Sequence, residues 1–292
     1  MKHLPAAHHP WLPRASCNSE CVHVAVSRPF AVTSRVLLRS ALALFVVPAL
    51  PVLAIPLPGR LRLHRAYCRL MLCCLGVRIT VSGGPVRNLR GVLVVSGHVS
   101  WLDIFVIGAV LPGSFVARAD MVTGPGVGLL GRAMKVIPIE RSSLRRLPGV
   151  VDTVADRLRA GRTVVAFPEG TTWCGMPGDH TGVAAGHTHQ GFGSFYPAMF
   201  QAAIDAGRPV QPLRLTYHHP DGTVSTIPAY VGDDGLCRSI GRVIAARRTL
   251  ARVHVGSLQL AGSDRRELAR RCQTAVHVSA APQPSDRQAL SA

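Results

Sequence analysis

Lysine is almost missing from this 292-residue chain: it occurs only at Lys2 and Lys135, so the positive charge is arginine. Acidic residues are scarce as well, 15 against 33 Lys plus Arg, and the formal charge reaches +18. Such an excess draws anions without naming them, since nucleic acid, lipid headgroups and phosphorylated substrates all answer to it. Aromatic residues make up 5%, too few for the stacking platforms of a single-strand binder. There is no zinc-finger spacing, and the arginines lie between apolar segments instead of in one tract, so no nucleic-acid partner is expected. The eight cysteines form neither a CxxC pair nor a regular framework, which excludes a disulfide-rich secreted scaffold and fits a reducing cytoplasm. No GxSxG elbow occurs, and no cysteine sits in a convincing nucleophile context; Cys174 is most simply an incidental thiol. The glycines at 124, 126, 128 and 131 lack both the Lys-Ser/Thr of a P-loop and the spacing of a dinucleotide fingerprint. His180, His187 and His189 with Asp179 are irregularly spaced, so neither a metal nor a cofactor is expected.

The many long spans of a transporter are absent too, and one apolar stretch stands out. Over 36–57 the chain is apolar apart from Arg39 and Ser40, with Pro48, Pro51 and Pro56 placed to bend or end a helix. A membrane-embedded or re-entrant helix is expected there, ahead of a buried core helix or an uncleaved signal. Residues 60–75 mix Arg60, Arg62, Arg65 and Arg69 with Leu63, Tyr67 and Leu70, the pattern of an amphipathic helix that lies on anionic headgroups or packs on the domain. The expected organisation is a disordered leader over 1–30, a membrane-associated helical segment over 31–75, a catalytic domain over 76–276 and a flexible tail over 277–292.

Within that domain, apolar runs at 77–82, 92–95, 114–117, 136–139, 163–167, 210–217 and 252–258 read as strands. Helical patterns fall at 104–110, from Ser142 or Ser143 to Gly161, at 195–206 and at 263–275, while 174–193 reads as a mobile loop. Alternation of this kind gives an α/β fold: a mixed, largely parallel sheet flanked by helices, preceded by an N-terminal membrane-associated helical segment. Ionisable groups recur where strands end, at His98 and Asp103, Arg118, Glu140 and Arg141, and Glu169 to Thr171. In an open α/β sheet ligands sit outside the carboxyl ends of the strands, so these clusters are expected to line one cleft.

If the chain turns into a helix at Ser100, Asp103 reaches back to one ring nitrogen of His98 and leaves the other basic toward the cleft. A surface or capping histidine is the plain alternative on this pattern alone. Arg141 and Arg118 are planar donors suited to phosphate or carboxylate. Glu169, Gly170 and Thr171 offer a carboxylate for a substrate hydroxyl, a close-approaching backbone and a hydroxyl for an anion. Together they suggest transfer onto a hydroxyl of an anionic acceptor, by direct attack and not through a covalent enzyme intermediate.

The stretch His98-Val99-Ser100-Trp101-Leu102-Asp103 resembles the His-x4-Asp block of the glycerolipid acyltransferase family that includes bacterial 1-acylglycerol-3-phosphate acyltransferases. Residues 137–141 resemble its second block, Phe167-Pro168-Glu169-Gly170-Thr171 its third, and Val210-Gln211-Pro212-Leu213 its fourth, in order over about 75–260. The resemblance implies an O-acyltransferase on the cytoplasmic face of the inner or plasma membrane, with an anionic lipid surface as partner. Its cosubstrate would be an acyl-CoA or acyl carrier protein thioester. Its acceptor would be a lysophospholipid, first 1-acyl-sn-glycerol-3-phosphate, with lyso-ornithine lipid or another lysolipid as alternatives; a non-catalytic lipid-binding relative is the reading of another class. By this likeness His98 is the base, Asp103 orients it, and Arg141, Glu169, Gly170 and Thr171 hold the acceptor. Three positions depart from the family pattern: Gly97 for a usual Asn, Arg118 for a common Lys, and Thr172 where an Arg is common, which weakens lysophosphatidate as the acceptor.

Overall fold

A computed structural model describes residues 12–23, 29–55, 59–84, 90–119, 128, 131, 135–140, 143–176, 179–181 and 188–277. The glycine-rich expectation at 124–134 falls outside these apart from Gly128 and Gly131, and Arg141 lies outside them altogether.

Helix α1, Pro29–Val46, continues as a 3-10 turn over Val47–Ala54, and α2 follows at Arg60–Cys74. The chain then runs β1 Val77–Gly83, β2 Leu93–Ser96, α3 Leu102–Val110, β3 Ser114–Arg118, β4 Ile137–Ile139, α4 Leu147–Arg159 and β5 Val164–Ala166. After these come β6 Asp179–Thr181, β7 Thr188–Gln190, α5 Ala198–Asp205, β8 Val210–His218, α6 Leu236–Ala245, β9 Thr249–Val255 and α7 Arg265–His277. Seven strands form one sheet in the order β1-β9-β8-β2-β5-β3-β4, and every pair is parallel except β8 with β9. The expected mixed, largely parallel α/β sheet with an N-terminal apolar helix is therefore what the chain forms.

The central strand β2 is buried on both sides, which is why its sequence is a continuous apolar run without alternation. Leu93 and Val95 pack with Val154, Leu158, Phe200 and Leu268 of α4, α5 and α7 on one face. Val94 packs with Leu72, Val106 and Val243 of α2, α3 and α6 on the other. Parallel pairing turns the carboxyl ends of β2, β3, β4, β5 and β8 toward one edge of the sheet.

Some elements differ from their expected extents. The last strand begins at Thr249 and ends at Val255: the Gly256 N–H still donates to the Pro212 carbonyl opposite it at 3.0 Å, but Pro212 has no N–H to return the bond, and 256–258 are not strand. Helix α5 starts at Ala198, with Pro197 at its N-cap position. The segment expected to be an aperiodic loop holds the antiparallel β6–β7 hairpin. Helix α6 was not anticipated. Of the expected leader, residues 12–23 lie against the domain: Cys17 is buried, Asn18 caps a 3-10 turn at Ser19–Cys21, and the His23 N–H donates to Thr226 Oγ1 at 3.0 Å.

Candidate active site

β2 ends at Ser96, and Gly97 carries the chain to His98 before α3 begins at Leu102. Ser100 shapes this turn, its hydroxyl accepting from the Leu102 N–H at 3.2 Å. One turn into α3, Asp103 points back, and its Oδ2 accepts from His98 Nδ1 at 2.8 Å and from the Val99 and Ser100 N–H groups at 2.7 and 2.9 Å. Its Oδ1 accepts from the Tyr217 hydroxyl at 2.7 Å. Asp103 is wholly buried, and these four donors satisfy a carboxylate that would otherwise be costly to bury. Burial, the Asp103 charge and the hydrogen bond to it push the Tyr217 phenol well above its ordinary value, so it stays protonated and remains a donor.

An ionised carboxylate only accepts, so the proton of neutral His98 resides on Nδ1. Nε2 has no hydrogen-bond partner among the described residues, and the side chain keeps 18% of its exposure. Its ring stacks on Phe167 with centroids 4.0 Å apart and planes 14° from parallel. Asp103 and Phe167 thus fix both the ring's rotation and its plane while leaving one nitrogen available.

Glu169 reaches the same centre from the end of β5. Its Oε2 accepts from the His98 backbone N–H at 2.7 Å, and its Oε1 accepts from the Gly193 N–H at 3.1 Å and faces His277 Nε2 at 3.2 Å. Glu169 is 1% exposed, and the carboxylate anticipated for a substrate hydroxyl holds the main chain of His98. Gly170 takes φ +71°, a left-handed turn that suits glycine, with its N–H on the Phe167 carbonyl at 3.1 Å. Thr171 follows, half-buried. Thr172 donates its hydroxyl to the Tyr230 carbonyl, and the Trp173 N–H donates to the His98 carbonyl at 2.8 Å. The block from Glu169 to Trp173 and the turn around His98 therefore form one bonded unit.

Arg118 stands exposed at the end of β3, paired in register with Ile139 of β4. Glu140 is ion-paired with Arg146. Tyr217, Phe167 and His277 were not singled out from sequence. Tyr217 ends a strand that was legible, whereas His277 closes α7 at the border of the expected tail and stacks on Phe192 with centroids 5.0 Å apart, a placement no local pattern announces. A cavity of about 440 Å³ lies at the opposite edge of the sheet, where β2, β3 and β5 begin, and is lined by Arg60, Arg90, Lys135 and Arg162.

Residues 78–216 match the family model described as Acyltransferase. The 1-acyl-sn-glycerol-3-phosphate acyltransferase of Neisseria meningitidis is 32% identical over 183 residues, 63% of this chain and 66% of the relative, slightly under two thirds of its length. The lyso-ornithine lipid O-acyltransferase of Pseudomonas aeruginosa is 32% identical over 240 residues, 80% of this chain and 85% of the relative. Among solved structures, the 1-acyl-sn-glycerophosphate (LPA) acyltransferase PlsC of Thermotoga maritima superposes with a TM-score of 0.55 at 17% identity, covering 89% of this chain and 98% of that one, a likeness of fold.

Proposed function

We propose, from the premise that this chain belongs to the bacterial PlsC-like acyltransferase family, that it moves a fatty acyl group from a thioester to the hydroxyl of a lysolipid at a membrane surface. The observation that carries this reading is the His98 ring, oriented through Nδ1 by a buried carboxylate and presenting Nε2. Nε2 takes the proton of the acceptor hydroxyl as its oxygen attacks the thioester carbonyl. Collapse of the tetrahedral adduct breaks the C–S bond, and the proton passes from Nε2 to the departing thiolate. Asp103 stabilises the transient imidazolium without itself taking the proton. No protein nucleophile is required, and the donor is an acyl-CoA or an acyl carrier protein thioester.

The acceptor placed first is 1-acyl-sn-glycerol-3-phosphate, giving phosphatidic acid, with Arg118 at the end of β3 and Arg141 of the second sequence block as the phosphate's cations and Gly170 with Thr171 as its close contacts. A lyso-ornithine lipid is the second reading. Thr172 supports it, because that hydroxyl is spent on the Tyr230 carbonyl and the position carries no cation for a phosphate. The helix α1 and the basic surface support action at an anionic membrane, on its cytoplasmic face.

The test is a panel of lysolipids offered with both thioester donors, the product read by mass. His98→Ala should lower turnover about 10²- to 10⁴-fold, the usual worth of a general base, while membrane association is retained. Unaltered turnover would remove His98 from the mechanism, and a panel with no acylated lysolipid would remove the function.

A further inference from the structure

Cys17, Cys21 and Cys174 come from opposite sides of the sequence, and their three sulfurs lie within 4.8 Å of one another. Cys17 and Cys174 are 4% and 3% exposed, whereas Cys21 is half-buried and gives the group an opening to solvent. The 3-10 turn Ser19–Cys21 brings Cys21 back beside Cys17, and Asn18 Oδ1, which accepts from the Glu20 N–H at 3.0 Å, holds that turn. The Cys174 N–H donates to Cys17 Sγ at 3.3 Å, the kind of bond that stabilises a thiolate.

We propose that Cys17, Cys21 and Cys174 form a structural site for a thiophilic divalent cation of the zinc class, clipping residues 12–23 onto the loop that follows Glu169–Thr171. Zinc about 2.3 Å from each sulfur needs sulfurs about 3.8 Å apart, a closure within reach of side-chain rotation from the present spacing. The fourth tetrahedral position falls to solvent on the Cys21 side. Three thiolates and a dication carry one net negative charge, favourable in a chain of +18. Binding releases the thiol protons and changes no oxidation state.

The clip would matter because the segment it secures touches the site. A methyl group built on Gly170 would fall 2.5 Å from the Pro13 ring, and one built on Gly232 would fall 3.4 Å from Asn18. Residues 12–23 thus form a strap over the turn that carries the proposed acceptor contacts, in a role separate from the acyl-transfer chemistry.

The experiment uses the full chain, purified in detergent with reductant and stripped of metal by chelator. Cobalt(II) should bind at about one ion per chain with a sulfur-to-metal charge-transfer band that zinc abolishes. Zinc should also slow proteolytic cleavage within residues 12–23. Cys21→Ser, at the half-buried position, should weaken cobalt binding at least tenfold, and Cys17→Ser should abolish the band. Cys73→Ser and Cys237→Ser, at exposed thiols, should leave it unchanged. Absence of the band, its survival in Cys17→Ser and Cys21→Ser, or a Cys17–Cys174 disulfide in the protein before reduction would each overturn the proposal.

Discussion

The orienting of His98 is spread over residues that never face the cleft. Tyr217 is 2% exposed and donates to the Asp103 oxygen that His98 does not use, so it reaches His98, the proposed base, only through Asp103. Tyr217→Phe leaves one buried carboxylate oxygen without its donor, a loss of roughly 1–3 kcal/mol. Steady-state kinetics should show kcat reduced about tenfold with KM nearly constant, and a change confined to KM would assign Tyr217 to acceptor binding instead. Glu169→Gln makes a sharper test because both carboxylate oxygens accept. A carboxamide has one acceptor oxygen, so either the His98 N–H or the Gly193 N–H loses its partner. Turnover should fall ten- to a hundredfold for phosphate-bearing and neutral acceptors alike if Glu169 acts through the main chain, whereas a loss selective for one acceptor would support the substrate contact expected from the sequence. Residues such as His98 and Asp103 were legible because their spacing across a strand-to-helix turn dictates their meeting. Tyr217, 114 positions from Asp103, depends on β8 lying beside β2, a choice of sheet order that local sequence does not encode.

At the scale of the element, α1 is held by its one internal arginine beyond the first turns. Arg39 donates to the carbonyls of Ile244, Ala246 and Arg247 at 2.8, 2.6 and 2.9 Å, satisfying the open end of α6. Its neighbours on that face, Val36, Ala43 and Val46, pack into the core, while Phe30, Leu37 and Leu44 repeat every seven residues on the outer face and remain exposed. The segment Phe30–Leu53 has the length and hydropathy to cross a membrane, yet its midpoint is fastened to the domain, which favours a helix lying in the interface. Arg39→Ala should lower the thermal midpoint in detergent by several degrees, since three carbonyls lose a charged donor. Helix α2 carries a pH-dependent weakness of its own. His64 is 8% exposed, its Nε2 has no hydrogen-bond partner among the described residues, and burial together with Arg60 pushes its value down from 6.5 to about 4. The unfolded chain therefore binds a proton below about 6.5 that the folded chain refuses, so stability is full above that pH and falls as pH drops toward 4. The difference amounts to about 3 kcal/mol. Unfolding curves at pH 7 and pH 4.5 should converge in His64→Leu if this is the cause. The strands of the main sheet and helices α3, α4, α5 and α7 were readable from apolar runs and their spacing, but α6 and the inward face of α1 were not, because Arg39 in an apolar run looks like a defect until α6 supplies its acceptors.

Over the whole molecule, the charge of +18 and the outward apolar stripe of α1 are two separate claims on a membrane. Cations near an anionic leaflet contribute about 1 kcal/mol each and are screened within a Debye length, so that part should fade with salt. Burial of Phe30, Leu37, Leu44 and Phe45 is worth roughly 25 cal/mol per Å² and is indifferent to salt. The charge and the apolar run over 36–57 were visible in the sequence, yet the outward stripe and the placement of the cations were not, since only the fold puts Arg60, Arg90, Lys135 and Arg162 around one cavity at the edge away from His98. Cosedimentation with vesicles can separate the two. On anionic vesicles the protein should bind strongly at low salt and retain a substantial bound fraction at high salt, while on neutral vesicles binding should be weaker and flat across the same range. Charging the stripe with Leu37→Asp and Leu44→Asp, at positions 66% and 71% exposed, spares the buried face of α1 and should leave the fold intact. That variant should lose the salt-resistant fraction and keep the salt-sensitive one. If the double substitution leaves high-salt binding unchanged, α1 does not enter the bilayer interface, and the attachment belongs to the arginines alone.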